Sequence, residues 1–150
     1  MTLYNLEGKP AVNDYSAVDE LVDVSAGKWY TDAVCWAYNT GITTGNSTTK
    51  AFNMDDNVTR QQLAAFFYRY AESKGIDVTT TTDISDMVGA DKVAGYAKEH
   101  MTWAVETGLI KGSEVEGTDG TIIYDLNPTG TATRGQIATI IQRFCEGNNL

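Results

Sequence analysis

Apolar positions along this chain form four helical stripes, arranged in pairs and separated by polar loops that glycines mark. Ala33, Trp36 and Ala37 share one face of a segment that predicts a helix from about Tyr30 to Thr40. Gly41 follows it as a left-handed exit. A polar loop from Thr43 to Asn57 carries one apolar anchor, Phe52. Thr59 then opens a second helix. Thr59 and Gln62 form a capping box, in which each side chain serves the other's backbone amide. Leu63, Phe66, Phe67 and Tyr70 give its buried stripe. After a polar linker from Glu72 to Thr82, a third helix is predicted from Lys92 to Thr107. Its inward residues are Tyr96, Met101, Trp103 and Ala104, and Gly108 ends it. Thr118 to Thr121 reads as a tight turn and Ile122 to Tyr124 as a short strand. Thr133 caps a last helix that buries Ile137, Ile140, Ile141 and Phe144.

The second pair of helices repeats the first in sequence as well as in pattern. Val34-Cys35-Trp36-Ala37-Tyr38-Asn39-Thr40-Gly41-Ile42-Thr43-Thr44-Gly45 returns as Met101-Thr102-Trp103-Ala104-Val105-Glu106-Thr107-Gly108-Leu109-Ile110-Lys111-Gly112. Thr59-Arg60-Gln61-Gln62 returns as Thr133-Arg134-Gly135-Gln136. A period of more than ~50 residues marks a repeat array. The expected fold is mainly α, with tandem helix-loop-helix repeats at residues 21–72 and 83–146 packed around the two Thr-Arg helices and short loop or strand segments between. Residues 1–10 resemble the tail of the second helix of each unit, which predicts a helix over Leu3 to Leu6 docked on the central helices. By that reading a further repeat precedes Met1 or comes from a partner chain.

Composition narrows the chemistry. The chain has 150 residues, 20 acidic against 11 basic, for a net charge of −9. Nucleic-acid binding needs a basic face, so the balance argues against it. No apolar run approaches the ~18 residues of a membrane span, and the first residues lack the charged and apolar regions of a signal peptide. A secreted parent would make this chain a fragment or a mature form. Cys35 and Cys145 show no metal-binding spacing and are expected as two separate thiols. His100 is the lone histidine and matches Ala33 of the first unit, which argues against a shared catalytic site. Asp55-Asp56 sit in a polar loop, a weak basis for glycoside hydrolysis. No enzyme activity, metal or cofactor is expected.

These motifs resemble the S-layer homology repeat of bacterial cell-surface proteins. The resemblance rests on Val22-Asp23-Val24, Trp29-Tyr30, Asp32-Ala33-Val34-Cys35-Trp36-Ala37, Gly41-Ile42-Thr43-Thr44-Gly45, Phe52-Asn53-Met54 and Thr59-Arg60-Gln61-Gln62; several of these recur in order in the second unit, where Tyr96 replaces Trp29 and Met87 follows Asp86. The chain departs from the family's Thr-Arg-Ala-Glu motif at Gln62 and Gln136. Glutamine keeps the cap but removes a carboxylate.

The resemblance implies non-covalent attachment to the Gram-positive cell wall at the cell surface. The implied partner is a secondary cell-wall polysaccharide, often carrying pyruvylated N-acetylmannosamine, held in grooves between repeats. The alternative is a structural module that assembles with other surface proteins and binds no glycan. The implied ligand residues are the motif arginines Arg60 and Arg134 and the loop glycines. A ketal carboxylate suits the planar guanidinium fork. Gly41 and Gly108 read first as helix caps. Gly45 and Gly112 serve either turn geometry or close approach of a sugar. Trp29 and Tyr96 stand either at a groove entrance or in packing. Asp32 is either a groove hydrogen-bonder or a solvated helix carboxylate. Free amides at the two Thr-Arg helix starts are expected to help hold an anion. Replacing either arginine is expected to leave stability nearly unchanged, because Thr59 and Thr133 keep the caps.

Overall fold

A computed structural model describes residues 1–116 and 119–148. Among these it has six α-helices: α1 (Thr2–Leu6), α2 (Ser16–Glu20), α3 (Thr31–Asn39), α4 (Arg60–Ser73), α5 (Lys98–Glu106) and α6 (Arg134–Asn148). A two-stranded antiparallel hairpin joins β1 (Ser113–Glu116) to β2 (Ile122–Asp125). The mainly α class expected from the apolar stripes is what the backbone adopts. The chain divides into two compact units, one of residues 1–56 with 69–76 and the other of 57–68 with 77–150.

In the first unit the core is Ala17, Leu21, Val24, Val34 and Cys35. The polar-looking loop after α3 contributes to it through Phe52 and Met54. Asp23 pins that loop, its carboxylate accepting the Phe52 and Asn53 amides at 2.8 and 2.7 Å. The N-terminal segment is helical, as its likeness to the later helix tails predicts. Tyr4 of α1 packs on Trp36 with ring centroids 5.7 Å apart, and Trp36 in turn meets Tyr70 at 6.5 Å. Tyr70 donates its hydroxyl to Glu7, and Lys74 pairs with Glu7 at 3.0 Å.

The second unit is built on the aromatic face of α4. Phe67 stacks on Phe144 at 5.2 Å, and Tyr68 packs between His100 at 4.6 Å and Trp103 at 5.7 Å. Met101, Ala104, Leu109, Ile110, Leu126 and Ile140 complete the buried set. The capping box forms as read, with the Thr59 amide donating to Gln62 Oε1 at 2.8 Å. The same bond recurs from Thr133 to Gln136 at 2.9 Å.

Two expectations fail in this unit for clear reasons. The third helix starts at Lys98 rather than Lys92, after two 3₁₀ turns, Ala90–Lys92 and Gly95–Ala97. Val93 and Ala94 between them are extended, and the Ala94 amide goes to Gln61 Oε1 at 3.0 Å instead of into a helix. Tyr96 therefore sits on the second turn with 54% of its surface exposed and is not an inward residue. The sequence also showed only one strand. β1 reads Ser-Glu-Val-Glu with a single apolar residue, and it is a strand because β2 pairs with it, Val115 opposite Ile123. Of the expected tight turn, Thr118 lies outside the described residues, while Asp119 closes its part by accepting the Thr121 amide at 3.1 Å.

The loops after α3 and α5 begin alike. Gly41 and Gly108 both have positive φ. Two residues on, Thr43 donates to the Ala37 carbonyl at 3.1 Å and Ile110 to that of Ala104 at 2.8 Å. Arg69 donates to the Ile42 carbonyl and Arg143 to the Leu109 carbonyl, each at 3.4 Å.

Candidate functional site

The second unit carries a groove of about 450 Å³, lined by the start of α4, the loop from Leu109 to Ser113 and the first turns of α6. Its size lies in the ~300–1,000 Å³ range of small-molecule sites. Among the described residues three cations line it, Arg60, Lys111 and Arg143, with Ser113, Thr133, Gln136 and Thr139 as neutral polar groups and no carboxylate. The protein as a whole carries −9. A cationic groove on an anionic chain is therefore a local feature and not a reflection of composition.

Arg60 is 7% exposed. Its Nε donates to the Leu126 carbonyl at 2.9 Å, which fixes the plane of the guanidinium and leaves the two terminal nitrogens. Burial lowers its pKa, while the charge of nearby Asp125 raises it. An arginine stays protonated under both influences. The Arg60 side chain thus has a structural bond and a place in the groove at once.

The expected free amides at the start of α4 are absent. The Arg60 amide donates to the Gly130 carbonyl and that of Gln61 to Pro128, both at 2.9 Å. Thr59 Oγ1 takes the Gln62 amide at 3.4 Å. The chain before α6 crosses this helix start and uses up its donors, so a ligand there meets the Arg60 side chain and not a ring of open amides.

Arg134 is exposed at the start of α6 and lies outside the groove lining, although its neighbours Thr133, Gly135 and Gln136 belong to it. Gly112 lines the groove and Gly108 does not. Gly112 has φ +77°, and a Cβ there would lie 3.1 Å from both the Asp125 carbonyl and Tyr124 Cβ. Turn geometry and packing on β2 account for this glycine. Gly45 is tighter still in the first unit: at φ +65° a Cβ would meet Leu21 Cδ2 at 2.5 Å. Trp29 is 79% exposed and stands edge-on to Tyr30. Asp32 is exposed and accepts the Tyr15 hydroxyl at 3.0 Å. Of the nine residues singled out in the sequence, Arg60 and Gly112 line this groove together.

Sequence reasoning passed over Lys111 and Arg143. A signal for Arg143 existed: Arg69 and Arg143 follow Arg60 and Arg134 at the same nine-residue interval. Cys35 and Cys145 are both free thiols. Among the described residues no group of three or more His, Cys, Asp or Glu side chains is placed to hold a metal. No helix among them is long and apolar enough to cross a membrane.

The model of the S-layer homology domain matches residues 21–64, which end just past Arg60. The surface-layer 125 kDa protein of Lysinibacillus sphaericus is 33% identical over 124 residues, covering 83% of this chain and 10% of that protein. An amylopullulanase of Thermoanaerobacterium thermosulfurigenes is 28% identical over 142 residues, 90% of this chain and 7% of its own length. The exoglucanase XynX of Acetivibrio thermocellus is 28% identical over 137 residues, 87% of this chain and 11% of its own. The chain spans about a tenth of the length of these curated relatives. No solved structure matches it. Residues 21–64 thus carry an S-layer homology domain, and most of the chain is similar to a segment of a surface-layer protein.

Proposed function

We propose that this chain is a non-catalytic anchoring module that holds its parent protein on the bacterial cell wall by binding an acidic secondary cell-wall polysaccharide. The observation that carries the reading is the groove lined by Arg60, Lys111 and Arg143 without a carboxylate. Charge-assisted bonds from guanidinium to a sugar-borne carboxylate are short and directional. Apart from Asp125, whose charge acts on Arg60 from outside the groove lining, carboxylates elsewhere on the chain act across solvent, where screening over ~8–10 Å weakens them. The relatives support a portable module: one surface-layer protein and two proteins named as enzymes share this segment across about a tenth or less of their length. A segment common to proteins with such different names is suited to anchoring rather than to turnover. Cell-surface location follows from the same reading. The repeated motifs support two tandem units, 21–72 and 83–146, with residues 1–10 as the tail of another.

The test is calorimetric titration with purified wall polysaccharide in pyruvylated and depyruvylated forms. The wild type is expected to bind the pyruvylated form more tightly, and Arg60→Ala to weaken that binding about tenfold or more. Circular dichroism checks that the variant is folded. No binding of either glycan by the wild type would overturn the reading in favour of a protein-assembly module.

A further inference from the structure

Repetition in the sequence pairs Arg60 with Arg134, but the groove pairs Arg60 with Arg143. We infer that Arg143 and Lys111 are anion-binding residues of this groove, so that it takes a glycan segment presenting more than one anionic or strongly accepting group. The inference rests on the proposed polysaccharide reading and specifies the ligand's charge pattern.

The geometry behind it is a division of labour within each arginine. Arg143 gives one terminal nitrogen to the Leu109 carbonyl at 3.4 Å. That contact ties α6 to the loop that carries Lys111 and Gly112. A guanidinium has five N–H donors, so the rest remain for a ligand. Arg60 gives Nε to Leu126 and keeps its terminal nitrogens. Lys111 is exposed and lies one residue before Gly112. Among the described residues three positive charges and no acidic side chain line the groove, and Asp125 acts on Arg60 from outside it. A single carboxylate would leave two of them facing neutral hydroxyls, whereas a segment with two acceptor groups engages the set.

Arg143 also has a structural contact, so the test separates position from charge. Glutamine at 143 keeps a neutral N–H donor, on a shorter side chain, and removes the charge. Lysine keeps the charge and removes the planar fork. Pyruvylated wall polysaccharide is titrated into the wild type, Arg143→Gln, Arg143→Lys, Lys111→Ala and Lys92→Ala. Lys92 is exposed on a 3₁₀ turn outside the groove lining and controls for net charge. Arg143→Gln is expected to bind about tenfold more weakly, with a shallower dependence of affinity on salt. Arg143→Lys retains most of the affinity, Lys111→Ala loses several-fold, and Lys92→Ala binds as the wild type does. If Arg143→Gln and Lys111→Ala bind as the wild type while Arg60→Ala is weakened, this inference is overturned and the polysaccharide reading stands. If the wild type itself does not bind, both fall.

Discussion

At the scale of single residues, Arg60 shows what a motif reveals and what it hides. Its repetition and its place after a capping threonine marked it as functional, and it does line a groove. Nothing in the local pattern indicates that the same side chain is buried and bonded to a carbonyl 66 residues away. That partner is set by tertiary packing, which local spacing does not encode. The expectation that Arg60→Ala leaves stability nearly unchanged is therefore revised. The Thr59 cap persists, but the Leu126 carbonyl, on a residue with no exposed surface, loses this donor. A buried acceptor left unpaired costs about 1–3 kcal/mol. Urea unfolding of Arg60→Ala should show a lower midpoint at unchanged slope. A midpoint equal to the wild type would mean that the Leu126 carbonyl finds water or another donor. Lys111 was illegible for a related reason, and Arg143 showed only as an echo of Arg69: both become neighbours of Arg60 only once α6 and the Leu109–Ser113 loop fold around it.

At the scale of elements, the signals that held are those with a complete local mechanism. The two capping boxes fix the starts of α4 and α6, and the glycines after α3 and α5 fix their ends. The signals that failed needed a partner from elsewhere. Gln61 takes the Ala94 amide and so helps keep α5 from starting early, and β1 depends on β2 for its pairing. Gly135 is a different case, a residue whose conformation does not demand glycine. It occupies the first turn of α6, is exposed, and a Cβ added there would have its nearest neighbour, Thr133 Oγ1, at 4.0 Å. Glycine in a helix costs about 0.5–1 kcal/mol relative to alanine, chiefly through backbone entropy. Gly135→Ala should therefore raise the urea midpoint by an amount within that range, near its lower end because the site is at a helix terminus. A lowered midpoint would show that this turn needs glycine after all.

At the scale of the whole molecule, the excess of acidic groups sets the response to pH, and two effects compete. Protonating carboxylates relieves repulsion in a chain of net charge −9 and favours the folded state. Protonating a carboxylate that accepts native hydrogen bonds does the opposite. Among the described residues five carboxyls lie below their ordinary values because of such bonds. Glu7 is lowered first by the Tyr70 hydroxyl and then by Lys74. Asp77 is lowered by the Thr79 amide, Asp83 by that of Ser85 and Glu106 by those of Thr81 and Thr82, while Asp119 is lowered first by the Thr121 hydroxyl. For each, the folded state binds its proton less readily than the unfolded chain. Each contribution is therefore fully present above the ordinary values of 3.8 for Asp and 4.5 for Glu, and is lost as pH falls through the lower folded-state values. Four of the five are fully exposed, so each contributes little, but all act in one direction. The melting temperature should stay nearly level from about pH 7 to pH 5 and fall steadily below about pH 4.5. Glu7→Gln should flatten part of that fall, since Glu7 alone among the five combines a tyrosine hydroxyl with an ion pair. A melting temperature that rises on acidification toward pH 3.5 would show that relief of repulsion outweighs these bonds.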